Sequence, residues 1–245
     1  MTRAQHPWRL ITTLGAPPNF NMALDEALLE IGGAPTLRLY TWQPDTLSLG
    51  YFQKYAEVPG VAQASHVVRR ITGGGAIHHA GELTFSLTTD LSDPIYQGAV
   101  PRSYERVHFA VIQALGQVGV RAKLRLDDPL ASDQAATGMC FHHSTPLDIA
   151  WMGRKGMGSA QRRRGGRVLH HGSIKLATTP IEGAIATTSE CGPCTEPADL
   201  IPHLCLAFEQ ELGMRLERGV PSPAERELAS RLEPRYSDPE FLRRR

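Results

Sequence analysis

Apolar residues in this chain recur with two periods, and the switch between them marks its elements. Leu24, Leu28 and Ile31 share one side of a 3.6-residue turn. They predict a first helix capped by Asn21 and ended by Gly32-Gly33, with Asp25 and Glu26 in its first turn near the positive dipole end. Val107, Val111, Leu115 and Val118 repeat the pattern and predict a helix over 104–118, capped by Ser103 and stopped by Gly119. Two more helices are expected at 198–212, ended by Gly213, and at 223–232. The latter has a capping box in Ser222 and Glu225 and Pro223 at its first position. Between these helices the period falls to two: residues 37–40 and 47–51 read as strands around a Pro44-Asp45 turn, and residues 147–151 alternate into a turn at Gly153. Residues 167–174 return as another strand. Strands grouped by hairpin-like connections, with only occasional helices, argue for an α+β fold: a mixed, largely antiparallel sheet flanked by helices.

Two stretches carry candidate chemistry. In residues 68–86 a β-branched run enters Gly73-Gly74-Gly75 and leaves as an alternating run, which reads as strand, close-approach loop, strand. Without Cβ atoms such a loop lays backbone N–H groups against a ligand, whereas a plain glycine-rich hairpin would only turn the chain. The second stretch holds Cys140-Phe141, then Gly153-Arg154-Lys155, then Gly158-Ser159-Ala160-Gln161. Lys155 is placed at the start of a sheet strand. A cysteine forms thioesters when its thiolate is accessible and favoured by nearby positive charge. Cys140 lies in a polar segment with Lys155 one connection away; its competing reading is a small buried hydrophobe.

Taken together, RRITGGGAIHHAGELTFS, GRKGMGSAQ and HHGSI, with Trp8-Arg9 and the segments 21–27 and 35–40, resemble the biotin/lipoate A/B protein ligase family over about residues 8–176. The resemblance implies the fold shared with biotin protein ligases and class II aminoacyl-tRNA synthetases. Cys140 stands fifteen positions before Lys155, a separation that is similar to the LipM-type octanoyltransferases. That branch implies acyltransferase activity in lipoate cofactor biosynthesis. Its reactive cysteine takes an octanoyl group from acyl carrier protein and passes it to a lysine of a lipoyl domain, as in the glycine cleavage H protein and 2-oxo acid dehydrogenase acyltransferase subunits. Catalytic roles then fall to Cys140 as nucleophile and Lys155 as the cation that stabilises the oxyanion. Substrate contacts fall to Arg70, Gly73, Gly74, Gly75, His79, Gly158, Ser159, Ala160 and His171. His79 and His171 match family histidines that could relay protons or simply be hydrogen-bonded structural residues.

No cofactor is implied for transfer. ATP and Mg2+ would enter only with the same-fold alternative, a lipoate–protein ligase. Gly156, where an aliphatic residue is expected, the ligase-like Gly73-Gly74-Gly75 and the polar Lys175 leave that alternative open. Octanoyl exchange between lipoyl-domain proteins and a non-catalytic binding module complete the set.

Composition narrows the rest. The 245 residues carry a net charge of +1 and a pI near 7.8, which gives no global electrostatic case for nucleic acid. No linker divides the chain, so a single catalytic domain over 1–245 is expected. No segment has signal-peptide character or the roughly 20 apolar residues of a membrane span, which predicts a cytoplasmic protein. Cysteines at 140, 191, 194 and 205 are too few and uneven for a secreted scaffold and point to reduced thiols. Cys191-Gly192-Pro193-Cys194 has redox-motif spacing without the surrounding strand and helix of a thioredoxin. The His pairs 78–79, 142–143 and 170–171 invite a metal, but neighbours on a strand point to opposite faces, so no metal site is expected. Arg162-Arg163-Arg164 with Arg167 reads as a hairpin tip, either solvated or a docking patch for acidic acyl carrier and lipoyl domains.

Overall fold

The computed structural model describes residues 6–244. Strand β1 (His6–Ala16) runs into Pro17-Pro18, and helix α1 (Pro18–Ile31) starts there. Proline suits the first helical position because its missing N–H would be unpaired anyway. The helix therefore begins three residues before the expected cap, and Asn21, Asp25 and Glu26 lie inside it, buried. They serve packing and ion pairs, not the helix dipole. The chain continues through β2 (Thr36–Trp42), β3 (Thr46–Leu49), β4 (Val67–Arg69), β5 (Ile77–His79), β6 (Glu82–Asp90) and α2 (Val100–Gln117). Helix α2 also starts early, with Pro101 in its first turn, and Ser103 donates its hydroxyl to the Val100 carbonyl from within the helix. Then come β7 (Lys123–Leu124), β8 (Ile149–Trp151), β9 (Arg154–Arg164), β10 (Arg167–Lys175), α3 (Pro197–Leu212), β11 (Met214–Arg218), α4 (Pro223–Ser237) and α5 (Pro239–Arg243). The Ser222–Glu225 capping box forms as expected, and α4 runs five residues beyond Leu232.

Among the described residues an eight-stranded sheet has the order β11-β1-β2-β6-β10-β9-β8-β7. β1 pairs in parallel with β11 and β2, and the other pairings are antiparallel. A three-stranded sheet, β4-β3-β5, holds the glycine loop between β4 and β5. The expected mixed, largely antiparallel α+β architecture is therefore present. Along β2, Leu37 and Leu39 pack under α2 and α3, while Tyr40 and Trp42 pack under α1 and α4. With both faces covered, no position on β2 is fully exposed. Arg38 consequently needs a buried partner. It donates to Asp25, which also accepts from Tyr40 Oη at 2.9 Å and Ser86 Oγ at 2.8 Å. Burial would raise the Asp25 pKa, but Arg38 and His171 outweigh it and hold the carboxyl below its ordinary value. No helix among the described residues is long and apolar enough to cross a membrane.

Candidate active site

The glycine loop and the Cys140 segment are built against each other. The Cys140 amide donates to the Ala76 carbonyl at 2.7 Å, and the Ala76 amide to Gly138 at 2.8 Å. A Cβ on Gly75 would stand 2.7 Å from the Cys140 nitrogen, so only glycine permits this approach. Arg70 clamps the loop from behind. One of its terminal nitrogens donates to the Gly73 and Gly75 carbonyls at 2.8 and 2.7 Å, and the other to the Ser48 carbonyl at 2.9 Å. Burial pushes the Arg70 pKa down to about 10, which leaves it charged at neutral pH.

Cys140 is half-buried and starts a single 3-10 turn, Cys140–His142. Lys155, 2 % exposed, reaches it from the start of β9, with Nζ 3.5 Å from Cys140 Sγ. The ammonium also donates to the Cys140 carbonyl at 2.8 Å, the His143 carbonyl at 3.0 Å and Asp148 Oδ2 at 2.8 Å. Burial alone would lower its pKa, but Cys140 and Asp148 beside it prevail and hold it above the ordinary lysine value. The cysteine therefore sits beside a permanent cation. Two buried ammoniums lie over the Phe141 ring, Lys155 at 5.7 Å and Lys175 at 4.9 Å from its centroid.

Lys175 is buried and ion-paired with Glu182 at 2.7 Å and Glu82 at 3.4 Å. The polar residue that departs from the family pattern thus has partners. Gly156 is explained as well: a Cβ there would lie 2.0 Å from the Trp151 ring, which fills the space an aliphatic side chain would take.

Beneath Cys140 a cavity is lined by Arg70, Gly74, His79, Gly158, Ser159, Ala160 and His171, all anticipated as site residues. Gly73 and Gly75 support the loop from outside that lining. Ser159 borders the cavity while its hydroxyl is engaged by His108 and His170 at 2.6 and 2.9 Å. His79 is fixed on both nitrogens, by Glu82 at 2.6 Å and Ser48 at 2.8 Å, and stacks on Trp42 with ring centroids 3.9 Å apart. Burial lowers its pKa to about 4, so it is a neutral wall residue at pH 7. His171 meets Thr72 at 2.6 Å and Asp25 at 3.6 Å.

Sequence reasoning missed Met22, Tyr40, Trp42, Ser48, Ile77, Thr84, Gly172 and Ser173 in the lining, and Asp148 behind Lys155. Asp148 did leave a trace, as a polar residue inside an alternating apolar run.

The remaining motifs dissolve into separate roles. The adjacent histidines diverge: His78 meets Thr179, His142 meets Thr137 and the Glu182 carbonyl, and His170 meets Ser159. Cys191 and Cys194 are free thiols in the loop ahead of α3, with Cys194 buried in the core. The arginine tip splits. Arg163 bonds Gln161 and Ser103, Arg164 pairs with Glu30 at 2.8 Å, and Arg167 pairs with Asp90 at 2.5 Å.

A family model of the lipoyl protein ligase A/B catalytic domain matches residues 17–188, a span that contains the glycine loop, Cys140 and Lys155. The chain belongs to this family. Among its relatives is the octanoyltransferase LipM of Moorella thermoacetica, 36% identical over 223 residues that cover 87% of this chain and 81% of that protein. The octanoyltransferase LipM of Kyrpidia tusciae is 32% identical over 94% of this chain and 96% of its own. The fold is also that of a bipartite lipoate protein ligase from Thermoplasma acidophilum, with a TM-score of 0.77, 21% identity and coverage of 98% and 97%. A lipoate-protein ligase A bound with ATP superposes with a TM-score of 0.78 at 23% identity, covering 98% of both chains. Within the lipoyl protein ligase A/B family, then, the relatives of this chain at 32% and 36% identity are octanoyltransferases.

Proposed function

We propose that this protein moves an octanoyl group from the phosphopantetheine thioester of an acyl carrier protein, through Cys140, to the lysine of a lipoyl domain in lipoate biosynthesis. The observation that carries the reading is the half-buried Cys140 sulfur 3.5 Å from the Lys155 ammonium, beside a cavity lined by Trp42, Ile77 and Met22. The Cys140 thiolate attacks the donor carbonyl. The tetrahedral oxyanion is stabilised by Lys155, and the carbon–sulfur bond to pantetheine breaks, releasing its thiol with the proton that Cys140 lost. In the second half the lipoyl-domain amine attacks the Cys140 thioester. An amide forms, and the amine's proton returns to the cysteine.

Strand register supplies a track for the acyl chain. Gly158, whose Cβ position lies 3.2 Å from Cys140 Sγ, is opposite Ser173; Ser173 is opposite Thr84, and Thr84 is opposite Tyr40. Three strand spacings span roughly 14 Å, floored by small residues until Tyr40 and Trp42 close the end. Trp42 lies over that end, with Nε1 donating to Thr84 Oγ1 at 2.9 Å. Trp42→Ala is expected to raise the kcat/KM ratio for decanoyl over octanoyl donors about tenfold, since two more methylenes could be buried at about 0.8 kcal/mol each. An unchanged ratio would place the end of the track elsewhere.

The function is tested by intact-protein mass after incubation with octanoyl-acyl carrier protein without ATP. An octanoyl adduct that hydroxylamine and an added lipoyl domain both remove is the expected result. Lipoyl-domain modification that requires free octanoate and ATP would overturn it in favour of a ligase.

A further inference from the structure

A second cavity is lined by Arg162, Arg164, Arg235, Arg244, Tyr51 and Glu26 among others. Among the described residues, four guanidiniums share it with one side-chain carboxylate, and that carboxylate is already bound by Arg235 and by Tyr236 Oη at 2.7 Å. Arg164 is paired outward with Glu30. Arg162 and Arg244 have no carboxylate within ion-pair distance among the described residues; instead both stack on the Tyr51 ring, at 5.3 and 3.8 Å from its centroid. The Arg235 Nε–H is buried and has no acceptor among the described residues. Gathering like charges in one hollow is unfavourable unless an anion enters, and guanidinium forks match phosphate oxygens in geometry and charge.

The cavity's position relates it to the reaction. Residues two apart on a strand share a face, so Gly158, Ala160, Arg162 and Arg164 line one side of β9. The first two border the catalytic cavity and the last two border the arginine cavity. At about 3.3 Å per residue, Arg162 lies roughly 13 Å along β9 from Gly158. Tyr51 joins the two sites from the other side, its amide donating to the Thr72 carbonyl at the entry to the glycine loop.

We infer that this arginine cavity binds the phosphate of the acyl donor's phosphopantetheine arm, fixing the thioester over Cys140. The inference rests on the proposed transferase reading. The phosphate chemistry alone would equally suit a nucleotide, so the test carries both.

The experiment compares octanoyl-phosphopantetheine, octanoyl-pantetheine and octanoyl-acyl carrier protein as donors for acylation of Cys140, in wild type and in Arg162→Gln/Arg244→Gln. Calorimetric binding of phosphopantetheine, pantetheine and ATP to both proteins runs alongside. Wild type is expected to favour the phosphorylated donor about tenfold or more in kcat/KM, and the variant to bring that ratio close to one. Each single variant, Arg162→Gln and Arg244→Gln, is expected to fall between. Equal use and equal binding of the two arms by wild type would overturn the inference. So would a preference that survives in the variant, or a variant impaired only with intact carrier protein, which would make the arginines a contact for the carrier's acidic surface. ATP binding that is lost in the variant, without phosphopantetheine binding, would assign the cavity to a nucleotide. If neither donor acylates Cys140, the transferase reading fails, and the calorimetric comparison still decides whether the cavity selects the phosphorylated arm.

Discussion

Cys140→Ser is expected to abolish octanoyl transfer to a lipoyl domain, or to leave the enzyme stalled as an octanoyl ester on the introduced hydroxyl, while the fold is retained. A serine hydroxyl is a far weaker nucleophile than a thiolate at neutral pH, and neither His79 nor Lys155 is arranged to activate it. His79 has both nitrogens committed to Glu82 and Ser48, and Lys155 is held protonated by its neighbours. An ester, once formed, resists amine attack better than a thioester does. The substitution is nearly isosteric, and the Cys140 amide that docks the segment onto the glycine loop is untouched, so thermal stability should be nearly unchanged. Mass spectrometry after exposure to octanoyl donor reads the outcome directly. Full activity in the variant would remove Cys140 from the chemistry, and loss of activity together with loss of fold would be answered by Cys140→Ala.

What the sequence made legible was local. The glycine triplet, the turn at Gly153 and the separation of Cys140 from Lys155 each lie within one stretch, and the fold sets the glycine loop, Cys140 and Lys155 against one another. The two helix starts were misplaced because good capping residues, Asn21 and Ser103, stand inside helices that had already begun at Pro18 and at Val100-Pro101. Asp25 was read for its distance from a helix end, whereas its position is set by Arg38 on a strand that packs beneath it. Trp42 and Thr84 sit in different sequence segments and become one wall only through the β2–β6 pairing. Lys175 looked anomalous because its partner Glu182 is brought up by the loop after β10 and cannot be inferred from spacing. The arginine cavity draws on β9, α4 and the residue after α5, three elements with no common motif. Contacts of that kind appear only when the sheet order is known.

Lys155→Ala is expected to slow acylation of Cys140 by roughly 10²–10³, the usual cost of removing one preorganised charge or donor from an oxyanion site. The same change also leaves Asp148 buried beside the reacting carbonyl without its cation, and breaking a buried pair from one side typically costs about 3–5 kcal/mol. Rate and stability would then fall together, and a rate loss alone could be misread as unfolding. The double variant Lys155→Met/Asp148→Asn separates them. It removes the orphaned charge and fills the volume, so its melting temperature should recover most of the loss, yet its single-turnover acylation rate should stay within about tenfold of that of Lys155→Ala. Recovery of rate along with stability would mean that the loss in Lys155→Ala came from the unpaired Asp148, and that Lys155 neither acts on the oxyanion nor is needed to hold the carbonyls of Cys140 and His143. A defect of less than tenfold in Lys155→Ala itself would remove the lysine from the reaction altogether. The ammonium is within reach of the sulfur, stays charged and is anchored by an acid behind it. Those are the properties that a fixed cation needs to stabilise negative charge forming on an acyl oxygen beside Cys140.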